Sequence, residues 1–352
     1  MALTFELTTP YDDERPVFLA GNFTDWYPDV EKFRMSRVSW GHYELKFPTD
    51  GKLPETIHYK YTKGAWEQVE LDENGNAPDN RMLRKRTGIV RDFVANWRQN
   101  GVSFRLDLMP KIQLIKRFTM PQLKRRRKVY ALLPHDYERS GKRYPVLYLQ
   151  DAQNLFGEGS SYGNWSIDRK LAVLAQHSKG DVIVIAIDHG DKRRLNEYAP
   201  YRSRLGQGEG EEYVRFIVET LKPYIDDHFR TLPDRPNTGI GGSSLGGLIS
   251  LFAGLNHPQI FGKMMIFSPS LWVSNQIYDD AKRYHPDSAS KIYLFAGGKE
   301  GKYMIPAVEG MRDDLRKWHV QVHLSIDPQG KHQEDRWGRE FPRALEWLFF
   351  EE

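Results

Sequence analysis

"TGIGGSSLGGLISLFAGL", residues Thr238 to Leu255, sets glycines and two adjacent serines between a short apolar run and a longer one. It reads as a strand, "NTGIGGS", turning into a helix, "LGGLISLFAGL", with Ser244 on the corner. Within it lies Gly-x-Ser-x-Gly: Gly242, Ser243, Ser244, Leu245, Gly246. A hydroxyl nucleophile on such a corner needs a strained backbone to project from the carboxyl edge of a sheet, and side chains two residues before and after it would collide. Gly242 and Gly246 remove that collision, and Gly241 and Gly247 let the helix lie close to a neighbouring strand. The new helix presents free N–H groups to a developing oxyanion, with the Leu245 N–H as first donor. Ser243 is out of register with the pattern and is expected to bond locally. No Gly-Lys-Ser/Thr follows, which argues against a phosphate loop.

Such a serine needs a base and an orienting carboxylate, in the chain order serine, acid, histidine. Downstream stand His257, His285, His319, His323 and His332. His257 falls at a helix end, His285 before a proline, and His319 and His323 flank or lie within the strand "VQVHLSID". His332 sits in "DPQGKHQEDRW", after the last strand and before the final helix, where a base is required. The strand "KIYLFAG" runs into "GKEGKY", which places Glu300 on a loop at the same sheet edge, with Asp327 as runner-up. The expected roles are Ser244 as nucleophile, His332 as proton shuttle and Glu300 as the group that fixes its tautomer. A second oxyanion donor is expected from "VLYLQDAQNLFGEG", near Ala152 and Gln153.

The 352 residues suit two domains, and 39% hydrophobic with 28% charged residues is a soluble globular composition. Net charge is only +4, with bases and acids interspersed, so no nucleic-acid footprint is present. The basic run "LKRRRK" (Leu123–Lys128) reads as exposed positions on an edge strand. Cysteine is absent, and no run approaches the roughly 20 apolar residues that span a bilayer. The N-terminus lacks signal-peptide character, so a cytoplasmic protein is expected. Nothing has metal-ligand spacing, so no metal or organic cofactor is expected.

Residues 1–100 hold short alternating segments, "PVFLAGNF", "GHYELKF" and "IHYKYTKG", between turn clusters, which predicts a small β-sandwich. From 105 to 352, apolar strands alternate with helical stretches such as "EEYVRFIVETLKPYIDDHF". That predicts an α/β domain with a mostly parallel central sheet covered by helices on both faces.

"YPVLYLQDAQNLF", "DHGDKRRLNEYAPY", "GGSSLGG", "HPQIFGKMMIFSPSLW", "LFAGGKEG" and "GKHQEDRWGREFPRALEWLF" resemble the enterochelin-esterase-related family of α/β-hydrolases over residues 110–350. That family includes feruloyl and acetyl-xylan esterases and mycolyltransferases. The resemblance implies a serine carboxylesterase whose triad maps onto Ser244, Glu300 and His332. The family's Asp-Gly pair after the third strand stands here as Asp151-Ala152, a departure at the oxyanion loop. Its Arg-x-x-Glu-Tyr element appears as Arg194, Glu197 and Tyr198 near the expected mouth of the site, with Arg194 and Tyr198 as substrate-binding candidates; Arg194 is expected either to meet the acyl group or to pair with Glu197. Trp165, Trp272 and Trp337 are candidates for the cleft wall.

The N-terminal part, through "VFLAGNFTDW" and "HYKYTKGAWEQVELDENGNAPDNR", resembles immunoglobulin-like glycogen-binding modules. Trp66 is the candidate for stacking on a sugar, and Trp26 is expected to be buried. The expected partner is a small-molecule or glycan ester, with no nucleic acid or membrane, and a homodimer is left open. The rivals are a catalytically silent glycan-binding protein and an acyltransferase using the same triad.

Overall fold

The computed structural model describes residues 3–13, 15–48, 54–84, 87–99, 102–202, 206–317 and 319–351. It divides into two compact units, Met1–Arg105 and Leu106–Glu352.

The first unit is all β. Its strands are β1 (Leu3–Thr8), β2 (Phe18–Gly21), β3 (Ser36–Ser39), β4 (His42–Lys46), β5 (Ile57–Thr62), β6 (Glu70–Leu71), β7 (Arg81–Leu83), β8 (Gly88–Phe93) and β9 (Asn96–Trp97). They form sheets ordered β3-β4-β1-β8 and β2-β5-β7, with a β6-β9 pair. The period-2 pattern of β1 buries Leu3, Phe5 and Leu7. These share one core with Leu19 of β2 and Ile57, Tyr59 and Tyr61 of β5, so two sheets face each other as a sandwich. Phe5 meets Tyr59 edge-on at 5.1 Å across that core.

The second unit opens with β10 (Lys111–Met120) and β11 (Arg125–Leu133), then β12 (Val146–Gln150) and β13 (Ile183–Ile187). It continues with β14 (Thr238–Ser243), β15 (Lys263–Phe267), β16 (Ser290–Gly297) and β17 (Val320–Asp327). One eight-stranded sheet results, ordered β10-β11-β13-β12-β14-β15-β16-β17. β10 and β11 pair antiparallel at one side, and from β13 to β17 every pair is parallel. The helices are α1 (Ile167–Gln176), α2 (Arg194–Glu197), α3 (Gly210–Arg215), α4 (Lys222–His228), α5 (Leu245–Asn256), α6 (Gln276–Arg283), α7 (Met304–Leu315) and α8 (Glu334–Phe349). A six-residue π stretch, Phe216–Leu221, joins α3 to α4.

β12 to β15 are buried almost throughout because both sheet faces are covered. One face packs against α3 to α7 through residues such as Tyr213, Ile225, Leu248, Ile277 and Val308. The other packs against α1 and α8 through Ile167, Leu174, Phe341 and Leu345. This is the α/β-hydrolase layout expected from the sequence.

One expectation changes. "LKRRRK" is not on an edge: β11 lies between β10 and β13, and β10 takes the edge. Arg125 and Arg127 turn inward, where Glu197 accepts from both (2.9 and 2.6 Å) and Glu209 also accepts from Arg125. The alternation holds, with Lys124 and Arg126 exposed, while Arg125 and Arg127 form an ion-paired network on the inner side.

Candidate active site

The strand-to-helix corner carries the strain that the glycine pattern implied. Ser244 has φ 56° and ψ −122°, a region that costs a non-glycine residue about 1–3 kcal/mol. Its N–H donates to Phe267 O (2.9 Å), which ties the corner to the end of β15. A Cβ on Gly242 would lie 2.8 Å from the carbonyl carbon of Gly246, and one on Gly246 would lie 2.9 Å from Asp151 Oδ2. Ser244 is half-buried, and its Oγ lies 3.2 Å from Ser270 Oγ, while the Ser270 N–H donates to Ser244 O (3.0 Å).

The expected acid and base, Glu300 and His332, lie on the loops after β16 and β17, at the carboxyl edge of the parallel strands and so on the side of the sheet where Ser244 emerges. The two loops are tied together. Gly298 N–H donates to Asp327 O (2.7 Å), and Lys299 N–H donates to Gly330 O (2.8 Å). Glu300 and His332 are hydrogen-bonded through Oε2 and Nδ1 at 2.6 Å. The Glu300 side chain is fully buried, whereas that of His332 is 42% exposed. Glu300 Oε1 accepts from the Ser268 hydroxyl (2.6 Å) and the Gly297 N–H (2.7 Å). With Nδ1 committed to Glu300, Nε2 is the imidazole nitrogen left without a hydrogen-bond partner among the described residues. Asp327, the runner-up acid, accepts instead from Gln329 N–H and Arg336.

On the other side of β14, β12 is followed by Asp151, which adopts the left-handed region (φ 61°, ψ 51°). Among the described residues, nothing accepts from the N–H groups of Leu245, Ala152 or Gln153. The Gln153 side chain is pinned to the backbone of His189 by two bonds, 3.0 and 3.3 Å. Arg194 does not pair with Glu197. Its Nε and Nη2 form a fork onto Asp151 (2.7 Å each), so it braces the loop that carries Ala152. Burial opposes the Arg194 charge, but the Asp151 carboxylate outweighs it and raises its pKa. Glu334 accepts from Asn154 (3.1 Å), and burial raises its carboxyl pKa against the pull of His332 and Arg194.

Tyr198 and Trp165 are not on the cleft wall. Tyr198 is fully buried, with the Arg194 guanidinium 5.1 Å from its ring. Trp165 is 2% exposed and stacks on Phe267 at 5.3 Å. Each fills core volume next to the sheet. Trp337 is also buried, and it meets His332 edge-on at 4.8 Å. Trp272, two residues beyond Ser270, stands 72% exposed. In the first unit, Trp26 is not buried as expected: it is half-exposed, like Trp66, and the two rings lie 6.2 Å apart. The turn holds Asp25 and Trp26 at positive φ.

Sequence reasoning passed over Ser268, Ser270 and the role of Asp151. "FSPSLW" did carry a signal, two serines within three residues of a strand end at the carboxyl edge of the parallel sheet.

The family model described as "Putative esterase" matches residues 120–348. The chain belongs to this esterase family. Relatives include the uncharacterized protein YbbA of Bacillus subtilis, 27% identical over 244 residues, which span 63% of this chain and 92% of that protein. An endo-1,4-beta-xylanase/feruloyl esterase of Xylanibacter ruminicola is 27% identical over 176 residues, 48% of this chain and 22% of that protein. The enterobactin esterase FES from Shigella flexneri shares the fold at TM-score 0.56 and 15% identity, over 98% of this chain and 92% of its own. Among the described residues, no helix is long and apolar enough to cross a membrane.

Proposed function

We propose that this esterase-family member hydrolyses carboxylic esters through an acyl-serine intermediate on Ser244. The observation that carries the reading is the Glu300–His332 hydrogen bond at 2.6 Å, set on the two loops that follow β16 and β17, at the sheet edge from which the strained Ser244 emerges. Ser244 Oγ attacks the ester carbonyl as His332 Nε2 takes its proton. The buried Glu300 side chain accepts from the Nδ1–H and stabilises the imidazolium. The oxyanion that forms is met by the Leu245 N–H at the start of α5 and by the Ala152 or Gln153 N–H. His332 then returns the proton to the leaving alcohol. A water activated the same way releases the acid and restores Ser244.

The substrate class in this reading is an acylated carbohydrate or a related natural-product ester, with Trp272 beside the cleft. Support comes from the attached all-β unit with its half-exposed Trp26 and Trp66 rings, and from a feruloyl esterase among the relatives. The unit 1–100 serves in this account as a sugar-binding module and 105–352 as the catalytic domain. The test is a panel of acetyl, feruloyl and longer-chain esters, simple and sugar-linked, with S244A as control. The reading requires turnover in the parent protein and its loss in S244A with an unchanged melting profile. Turnover surviving in S244A contradicts it.

A further inference from the structure

Glu300 is a fully buried carboxylate, and a buried charge keeps one geometry only when its lone pairs are claimed. Three donors claim them: His332 Nδ1 on Oε2, and Gly297 N–H and the Ser268 hydroxyl on Oε1. Gly297 is part of the turn that carries Glu300 and cannot be replaced easily, since a Cβ there would lie 2.5 Å from Gly330 O. Ser268 comes from a different element, the end of β15, one residue after the carbonyl that accepts from Ser244 N–H. Its own N–H donates to Phe295 O (2.8 Å), and its backbone is held at φ 42°. A serine at positive φ is disfavoured, and here the strained backbone aims the hydroxyl at the carboxylate.

Trp337 fixes which way that hydroxyl points. Its Nε1–H donates to Ser268 Oγ at 2.9 Å, which occupies a lone pair and leaves the hydroxyl hydrogen for Glu300. The same indole meets the His332 ring edge-on at 4.8 Å, five residues along the chain from it. One tryptophan thus touches both ends of the Glu300–His332 pair: the acid through Ser268, and the base through ring contact.

We propose that Ser268 and Trp337 are positioning residues that complete a relay, Trp337 Nε1–H to Ser268 Oγ–H to Glu300 to His332 Nδ1–H. They lock the acid's rotamer and with it the tautomer of the base. The proposal rests on the triad reading of Ser244, Glu300 and His332. Neither residue touches the ester.

S268G deletes the hydroxyl at a backbone angle that glycine adopts without strain, so the fold is retained. The loss of one of two donors on Oε1, with the Trp337 N–H left unpaired, is expected to lower kcat by about tenfold to a hundredfold at nearly constant KM. The far-downfield proton resonance of the shared Nδ1–H should move upfield and broaden. W337F keeps a ring beside His332 and removes only the donor to Ser268; it should change kcat and the resonance in the same direction, by less. A kcat within about twofold of the parent in both variants, with the resonance unmoved, overturns the proposal. A rise in KM without a change in the resonance also overturns it, because Ser268 would then be a packing residue. If S268G fails to fold, W337F decides alone. Turnover surviving in S244A removes the serine mechanism instead, and this relay falls with it.

Discussion

Replacing Glu300 with glutamine separates charge from shape at the acid. The amide oxygen can still accept from Ser268 and from Gly297 N–H, so two of the three contacts persist. The amide nitrogen then faces His332 Nδ1, where a carboxylate oxygen stood at 2.6 Å. An amide N–H can bond only to an unprotonated Nδ1, which moves the ring proton to Nε2. That nitrogen must be empty to accept the Ser244 proton. A tautomer inversion of this kind lowers kcat by about 10⁴-fold, or about 5 kcal/mol of transition-state stabilisation. The fold should change little, because a buried ion gives way to an isosteric neutral group that keeps two donors; the expected loss is about 1 kcal/mol, or about 2–4 °C in melting temperature. The assay is steady-state hydrolysis of p-nitrophenyl acetate beside a melting curve. E300Q with more than about a tenth of the parent kcat, and its fold intact, refutes the assignment of Glu300.

Three further outcomes are expected. G242A places a methyl 2.8 Å from the Gly246 backbone, so it should cost about 1–3 kcal/mol and lower turnover as the corner splays; an unchanged melting curve and kcat would show that the corner is not tightly closed. Asp188, at the end of β13, has its pKa raised by burial from 3.8 to about 6. The folded state therefore holds a proton between pH 3.8 and 6 that the unfolded chain has released, and stability from this group falls as pH rises through that window. D188N should raise the melting temperature at pH 7.5 by about 2 °C and have no effect below pH 3.8; an equal effect at both pH values contradicts the sign. Finally, a Trp26→Ala, Trp66→Ala double variant should lose retardation in a native gel containing soluble glycan. A parent protein that is never retarded would leave the pair without a glycan role.

The parallel strands were legible because burial on both faces makes them continuous apolar runs bounded by turn residues. The corner at Ser244 was legible because its geometry excludes side chains at Gly242 and Gly246. β10 was not legible, because on a sheet edge its first four residues, "KIQL", face solvent and carry no apolar run. Trp165 could not be told from a cleft residue by its loop position. What buries it is a set of rings distant in the chain, Phe267, Trp337 and Phe341, at 5.3, 6.2 and 6.4 Å. Of the two readings of Arg194, the pair with Glu197 does not form. Glu197 is adjacent in sequence, yet Arg125 and Arg127 claim it from β11 and leave Arg194 for Asp151. In each case the deciding contact joins residues far apart in the chain, and local pattern does not encode it.

The most direct test of the account is covalent labelling by a fluorophosphonate, with the adduct mapped by peptide mass spectrometry. The account predicts a single phosphonylated residue, Ser244, with labelling lost in S244A and strongly slowed in E300Q. Labelling of another serine, or none in the folded parent protein, would contradict the nucleophile assignment.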